Sequence, residues 1–334
     1  MVLSLEAMPK RSLHAAAVWL CLNVACSASP DLASSADGGG GGSSGGNSSG
    51  TTSSSGSSSG SGSSGSGSSG GSSSGSSSGG GAVDAGTIDS GHEDAAVPEG
   101  GNLDPTVAPG GNFDLSLWEL EEPIGSPGAP TTISPAQLQG PSGFHDTYFF
   151  TDPTDGSMSF WDPEKGVTTA NSSYPRSELR EMTASGAAAN WMPTGTNTMS
   201  ATLKATLIPS HVAVGQIHLG TGTPSSTKPL LELFYESSGS IVMAVEQTPA
   251  GGNEVQTTVG NVPLGTKWSY VIGLTGNTIT LAIDGGATQT FAMSTTFDQE
   301  GMYFKAGDYN QSVGTSATVG AKVQFYALKV THGP

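Results

Sequence analysis

Beyond Cys26 the chain contains no cysteine, and that gap removes several possibilities at once. The part able to fold has no disulfide, no thiol nucleophile and no thiolate metal ligand, so buried apolar surface must stabilise it. Positive charge is the second scarcity. The chain holds 11 Lys and Arg against 28 Asp and Glu, a formal net charge of −17. Past residue 110 nine basic residues remain, and Arg176 and Arg180 are the only arginines among them. Such a balance argues against nucleic acid as a partner. Apart from one stretch near the start, no apolar run is long enough to read as a membrane-spanning helix. The histidines show no metal-ligand spacing with one another or with cysteine, so no metal site is expected. A phosphate-cradling loop is excluded too, because the Gly/Ser tract lacks the lysine and the flanking strand and helix.

What is present divides the chain into three. Lys10-Arg11 precedes an apolar run through Ala15, Val18, Trp19, Leu20 and Leu22 that ends in Val24-Ala25-Cys26. Residues 1–26 therefore read as an export signal. The small residue before Cys26, and the Ser, Pro and Asp after it, resemble a lipoprotein processing site with Cys26 acylated; ordinary cleavage around Ala25 to Ala28 is the alternative. Either route predicts an exported protein, anchored at the cell surface or outer membrane through lipid, or secreted. Residues 27–111 read as a linker. From Ser34 to Gly81 it is almost pure Gly and Ser, which cannot bury enough apolar surface to offset chain entropy. At roughly 5–6 Å × √n for a Gly-rich chain, this tether has a typical span of about 40 Å. An acidic, Gly- and Pro-containing segment follows. The folded part, residues 112–334, is expected to begin where Phe113, Leu115, Leu117, Trp118 and Leu120 raise the apolar density, and to act as a monomer.

That part is strand-like throughout. Short runs rich in Val, Ile, Thr, Phe and Tyr are separated by Gly, Pro, Asn and Asp. The pattern predicts strands over Thr198–Ile208, Val212–Leu219, Leu230–Glu236, Ile241–Gln247, Glu254–Val259, Trp268–Leu274, Thr278–Ile283, Thr288–Met293, Met302–Tyr309 and Lys322–Thr331. Thr275-Gly276-Asn277 and Asp284-Gly285-Gly286 read as hairpin turns. Ser134-Pro135 suits the start of one short helical turn. The expected fold is all-β, a jelly-roll sandwich of two antiparallel sheets, one of them curved so that its outer face forms a concave cleft.

Three distant stretches break the usual strand chemistry: Arg176 to Arg180, Gln216-Ile217-His218, and Tyr303 to Gln311. In a strand, alternate residues share a face. Arg176, Glu178 and Arg180 then point one way, as do Gln216 with His218, and Tyr303 with Lys305 and Tyr309. Leu179, Ile217, Phe304 and Ala306 point the other. Each stretch alone has a plain reading, as a salt-bridged edge strand or a satisfied polar pair. If the three are neighbours, they form a groove for something acidic with acid–base chemistry inside it.

These stretches resemble the signature blocks of the alginate lyases of polysaccharide lyase family 7: Arg-Ser/Thr-Glu-Leu-Arg, Gln-Ile/Val-His and Tyr-Phe-Lys-Ala-Gly-x-Tyr-x-Gln, in that order. The opening Phe113-Asp114-Leu115-Ser116-Leu117-Trp118 is also similar, so the resemblance runs from Phe113 to the end of the chain. It implies cleavage of a polyuronate, alginate, by β-elimination without metal or organic cofactor. Elimination removes the C5 proton beside a carboxylate and expels the C4 oxygen. Arg176, with its forked and always-charged donors, and Gln216 would stabilise the carboxylate as negative charge builds. His218 would take the proton in guluronate units, and Tyr309 would protonate the leaving oxygen, acting as base and acid in turn on mannuronate units. Arg180 and Lys305 would grip neighbouring carboxylates, and Glu178 would orient the arginines. Tyr303, Asn310 and Gln311 are the further candidates, as contacts with substrate or as residues that support those contacts from behind. Asp308 stands where relatives more often carry an apolar residue, and by alternation it should face away from the cleft. Ile217 in the middle block points toward guluronate-containing or mixed chains. Two alternatives remain at this level: a lectin-like module that binds acidic glycans without cutting them, and a lyase for another polyuronate.

Overall fold

A computed structural model of the protein describes residues 102–220 and 228–334. The expected export signal, Cys26, the Gly/Ser tether and most of the acidic linker lie outside the described residues. The folded unit is a jelly-roll sandwich. Its first sheet has eight strands in the order β10 (Val255–Asn261), β9 (Ser240–Val245), β8 (Pro229–Glu236), β7 (His211–Leu219), β14 (Met302–Asn310), β5 (Ser177–Glu181), β1 (Trp118–Ser126) and β2 (Ala129–Ile133). The second has seven, in the order β13 (Gln289–Ala292), β12 (Thr278–Ile283), β11 (Trp268–Thr275), β6 (Thr196–Leu207), β15 (Gly320–Gly333), β4 (Met158–Pro163) and β3 (Phe149–Thr151).

The alternation seen in the sequence produces the core. Leu179 of β5, Ile217 of β7, and Phe304 and Ala306 of β14 are fully buried on the inner face of the first sheet. They share one cluster with Met199 and Leu203 of β6, Ile272 of β11 and Val323 and Phe325 of β15. Phe149, Phe160 and Phe325 pack in series, the first pair tilted and the second edge-to-face, with ring centroids 5.2 and 5.4 Å apart. At about 1.5–3 kcal/mol for each large side chain fully buried, this cluster supplies the stability that a cysteine-free domain must find elsewhere. Tyr270 spans the two layers by donating its hydroxyl to the Val214 carbonyl at 2.9 Å.

Local sequence accounts for the punctuation. Ser134 and Gln137 form a reciprocal capping box at the start of a single helical turn, α2 (Pro135–Leu138). The β12–β13 connection turns at Asp284 and Gly285, both at positive φ, and Asp284 receives the Ser269 N–H at 2.7 Å. Three features differ from expectation. Ordered structure begins before Asn112: Asp104 and Asn112 exchange hydrogen bonds of 2.9 and 2.8 Å, and a short helix, α1 (Pro109–Asn112), follows the buried Ala108. Mutual hydrogen bonding holds this segment, and composition does not register that. Strands β1 to β4 also precede Thr198, where the first strand expected from periodicity begins. Finally, β15 carries two bulges, between Lys322 and Val323 and between Phe325 and Ala327, and Gln324 and Tyr326 are buried as well, through hydrogen bonds to Asp152, Ser157 and Asp155.

Gly307 is the tightest joint in the first sheet. Its φ is +150°, and a Cβ there would lie 2.8 Å from both the Glu178 Cα and the Ser177 carbonyl oxygen. Gly307→Ala should therefore pry β14 from β5, at about 2 kcal/mol or more. For a domain of this size that is a fall of roughly 4–8 °C in unfolding midpoint. Calorimetry checks it, and an unchanged midpoint would refute the tight approach.

Candidate active site

Strand β14 runs between β5 and β7, so the three polar stretches are neighbours. Register places Lys305 opposite Arg180 on one side and Gln216 on the other, and Tyr303 opposite His218. Their outward faces line one cleft of about 520 Å³, which Arg176, Arg180, Gln216, His218, Tyr303, Lys305, Tyr309 and Gln311 all reach. Glu121 of β1, Glu232 of β8, the segment from Thr169 to Tyr174, and Leu219, Gly220, Lys228 and Pro229 also line it.

Beneath the cleft floor sits Glu178, with no exposed surface. One carboxylate oxygen accepts from Gln216 Nε2 at 2.5 Å, and the other meets Lys305 Nζ at 2.5 Å and Arg176 Nη1 at 3.3 Å. Arg176 Nε also lies 3.1 Å from Glu121 Oε1. A carboxylate this deep is tolerable only because two cations and an amide satisfy it. Arg176 has five N–H groups and the Gln216 amide has two, so both keep donors for a ligand. The guanidinium of Arg176 lies 3.9 Å from the centroid of the Tyr309 ring, and that of Arg180 lies 4.3 Å from the Tyr303 ring. Each arginine thus uses an aromatic face to hold its plane.

His218 is held in one tautomer. Its Nδ1 lies 2.9 Å from the Leu219 carbonyl oxygen, which can only accept, so Nδ1 bears the hydrogen and Nε2 keeps its lone pair. Burial first, then the charge of Lys305, pushes the imidazole down to about 3, so the ring is unprotonated at ordinary pH and Nε2 is free to accept a proton. Tyr309 lies 2.9 Å from Ser172 Oγ through its hydroxyl. Burial raises its phenol above the ordinary value, opposed by Arg176 and by the bond to Ser172. The cleft therefore offers an unprotonated base, a protonated acid and fixed cationic donors together. Burial, followed by the charge of Arg176, lowers the Lys305 ammonium, with Glu178 acting against both.

The geometry sets two of the expected site residues apart from the cleft surface. Asn310 is completely buried on the opposite face of β14, where its N–H donates to Asp162 Oδ2 at 3.0 Å and its side chain to the Asp162 carbonyl at 3.2 Å. Strict alternation from Tyr309 requires this. Glu178 does not line the cleft either; it is the anion under the cationic residues. Asp308 faces inward, as alternation predicts, and its carboxyl is raised well above the usual range by burial and then by Asp162. Sequence reading missed Ser172, Tyr174, Glu121 and Glu232. The signal for Glu232 was an acid within Leu230-Leu231-Glu232-Leu233, opposite Gln216 in the sheet. Burial and then the charges of Glu254 and Glu178 push its carboxyl up to about 8. Ser172 and Tyr174 lie in an irregular segment with no periodicity to reveal them.

A two-sheet jelly roll whose central outer strands present arginine, glutamine, histidine and tyrosine around one cleft defines a polysaccharide lyase. The sequence model of the alginate lyase family matches residues 113–332, and the chain belongs to that family. An alginate lyase of Klebsiella pneumoniae is 30% identical over 281 residues, covering 66% of this chain and 90% of the relative. Among solved structures, alginate lyase A1-II′ of polysaccharide lyase family 7 is similar at 37% identity with a TM-score of 0.61, over 68% of this chain and 99% of that one. A substituted form of the same enzyme has been solved in complex with substrate (GGMG). An alginate lyase of Pseudomonas aeruginosa matches at 32% identity and a TM-score of 0.61, over 66% of this chain and 100% of its own.

If Glu178 is the counter-charge that holds the cleft floor, Glu178→Gln should leave the buried Lys305 uncompensated and Arg176 paired with Glu121. The expected loss is about 3–5 kcal/mol of folding stability, read as a lower denaturant midpoint. A midpoint equal to wild type would show that Lys305 does not depend on it.

Proposed function

We propose that this lyase cleaves alginate by β-elimination, with guluronate-containing or mixed stretches as its preferred substrate. One observation carries the reading. His218, whose Nε2 keeps its lone pair, lines the same cleft as Tyr309, Arg176 and Gln216. A uronate carboxylate held by Arg176 and Gln216 becomes more negative as the C5 proton leaves, and preorganised donors stabilise that charge. His218 takes the C5 proton, and Tyr309 gives its own to the C4 oxygen as the glycosidic bond breaks. The product ends in a C4–C5 double bond conjugated with the carboxylate. Lys305 and Arg180 hold the carboxylates of adjacent sugars. Guluronate presents its C5 proton and leaving oxygen on opposite faces, which suits two separate groups such as His218 and Tyr309. Ile217, by resemblance within the family, and the complex of a relative with GGMG support the same preference.

Tyr309→Phe and His218→Ala should stay folded yet lose at least ~100-fold in formation of the ultraviolet-absorbing unsaturated product. Guluronate-rich blocks should be cut faster than mannuronate-rich ones. Binding of alginate by the unaltered protein with no unsaturated product would replace this reading with that of a lectin-like module.

The pH dependence follows from the signs of the shifts. With its folded value at about 3, His218 is already deprotonated on the acid side of neutrality. The kcat/KM profile should therefore show no protonation step between about pH 5 and 7, the ordinary imidazole range. Glu232, at about 8, changes from neutral to anionic as the pH rises, placing a negative charge before a polyanion. KM should climb through that range in the wild type and stay level in Glu232→Gln. A step near the ordinary imidazole value, or the same climb in Glu232→Gln, contradicts these assignments.

A further inference from the structure

Ser172 lies in the irregular segment between β4 and β5, and the hydrogen-bond arithmetic around its hydroxyl has a single solution. A serine hydroxyl owns one proton and two lone pairs. Ser172 Oγ lies 2.9 Å from the Tyr174 carbonyl oxygen, which has no hydrogen to give, so the serine proton goes there. One lone pair accepts the Tyr174 N–H at 3.0 Å. The other faces Tyr309, 2.9 Å away, so the phenol is the donor in that pair. Tyr309 is otherwise fixed through its ring, by Arg176 at 3.9 Å on its face and by Tyr174 edge-on at 6.2 Å. Neither contact sets the direction of the O–H bond. Ser172 does.

We propose that Ser172 is a positioning residue for Tyr309, receiving the phenolic hydrogen bond in the resting enzyme and turning its own proton toward the phenolate once Tyr309 has given its proton away. The proposal rests on the role of Tyr309 as acid stated above. During elimination the Tyr309 O–H bond breaks and its proton forms the new O–H bond on the leaving C4 oxygen, while the C5 proton moves to His218 Nε2. The phenolate that remains has no donor while the Ser172 proton stays on the Tyr174 carbonyl. Rotation about the serine Cβ–Oγ bond transfers that hydrogen bond to Tyr309 without moving the backbone. The resting state returns when Tyr309 takes a proton from water and His218 releases one. The charged and titratable groups acting on the phenol are Arg176 and Glu178 from the β5 side and Glu232 from β8, with Tyr174 at its edge. Arg176 is the cation among them, and its guanidinium meets the face of the ring. Stabilisation at the oxygen itself is left to Ser172.

The test compares wild type, Ser172→Ala, Ser172→Thr and Tyr309→Phe over alginate concentrations up to saturation, across the pH range. Ser172→Ala should lower kcat by about ten-fold with KM within about two-fold. The alkaline limb of its kcat profile should move to higher pH, because a phenol without that donor ionises less readily. Ser172→Thr keeps the hydroxyl and should restore both kcat and the limb. If Ser172→Ala does not fold, Ser172→Cys, whose thiol is a weak donor, takes its place with the same expected shift. Wild-type kcat and an unmoved limb in the alanine or cysteine variant overturn the proposal. So does a loss confined to KM, which would make Ser172 a substrate contact, or a threonine variant as impaired as alanine. An active Tyr309→Phe would instead overturn the reading of Tyr309 itself, separating that failure from this one.

Discussion

One buried carboxylate organises the cleft. Glu178 lies at the crossing of β5, β14 and β7, bound to Lys305, Arg176 and Gln216. Lysine and arginine at this depth would otherwise repel each other in a medium that screens weakly. The pairing adds little to stability, because desolvation offsets most of the Coulombic gain. What it supplies is position. The cationic donors proposed to meet a carboxylate are fixed by it, and Gly307 opposite Glu178 lets the two strands close over it.

The same strands are pinned from behind. Glu181, on the inward side of β5, accepts from Trp191 Nε1 at 2.8 Å and from the Phe304 N–H of β14 at 2.9 Å. Its other oxygen lies 2.6 Å from His332 Nε2, and His332 Nδ1 reaches Asn197 Oδ1 at 2.7 Å, so β15 and β6 of the second sheet are joined to the catalytic strand. At the other end of β14, Asn310 holds Asp162 of β4. A site built on strands tied across both layers is held more firmly than one on loops, which suits catalysis by preorganised donors.

The sequence was most legible where chemistry and period agreed. From Thr196 to Gly333, turn residues separate clean alternations, and the strands fall within a few residues of where periodicity puts them. Toward the start of the domain the pattern is obscured by buried acids. Glu122 in β1 and Asp162 in β4 occupy core-side positions, so a hydrophobic period of two is hard to see. The cleft itself could be read because charged side chains on alternate positions of three strands are costly unless they share a purpose. Asn310 belongs to the same motif but to the other parity, and parity decides which way it points. Ser172 and Tyr174 were illegible because an irregular segment carries no period. Their place is set by their hydrogen bonds to each other and by contact with Tyr309.

The central claim is that the Glu178 cluster presents Arg176, Gln216, His218 and Tyr309 to a single sugar. A crystal structure of the Tyr309→Phe enzyme with a guluronate tetrasaccharide tests it most directly. The account predicts one uronate carboxylate hydrogen-bonded by both Arg176 and Gln216, with the C5 hydrogen of that same ring facing His218 Nε2. A saccharide whose carboxylates avoid Arg176 and Gln216, or whose C5 hydrogens face away from His218, would contradict it.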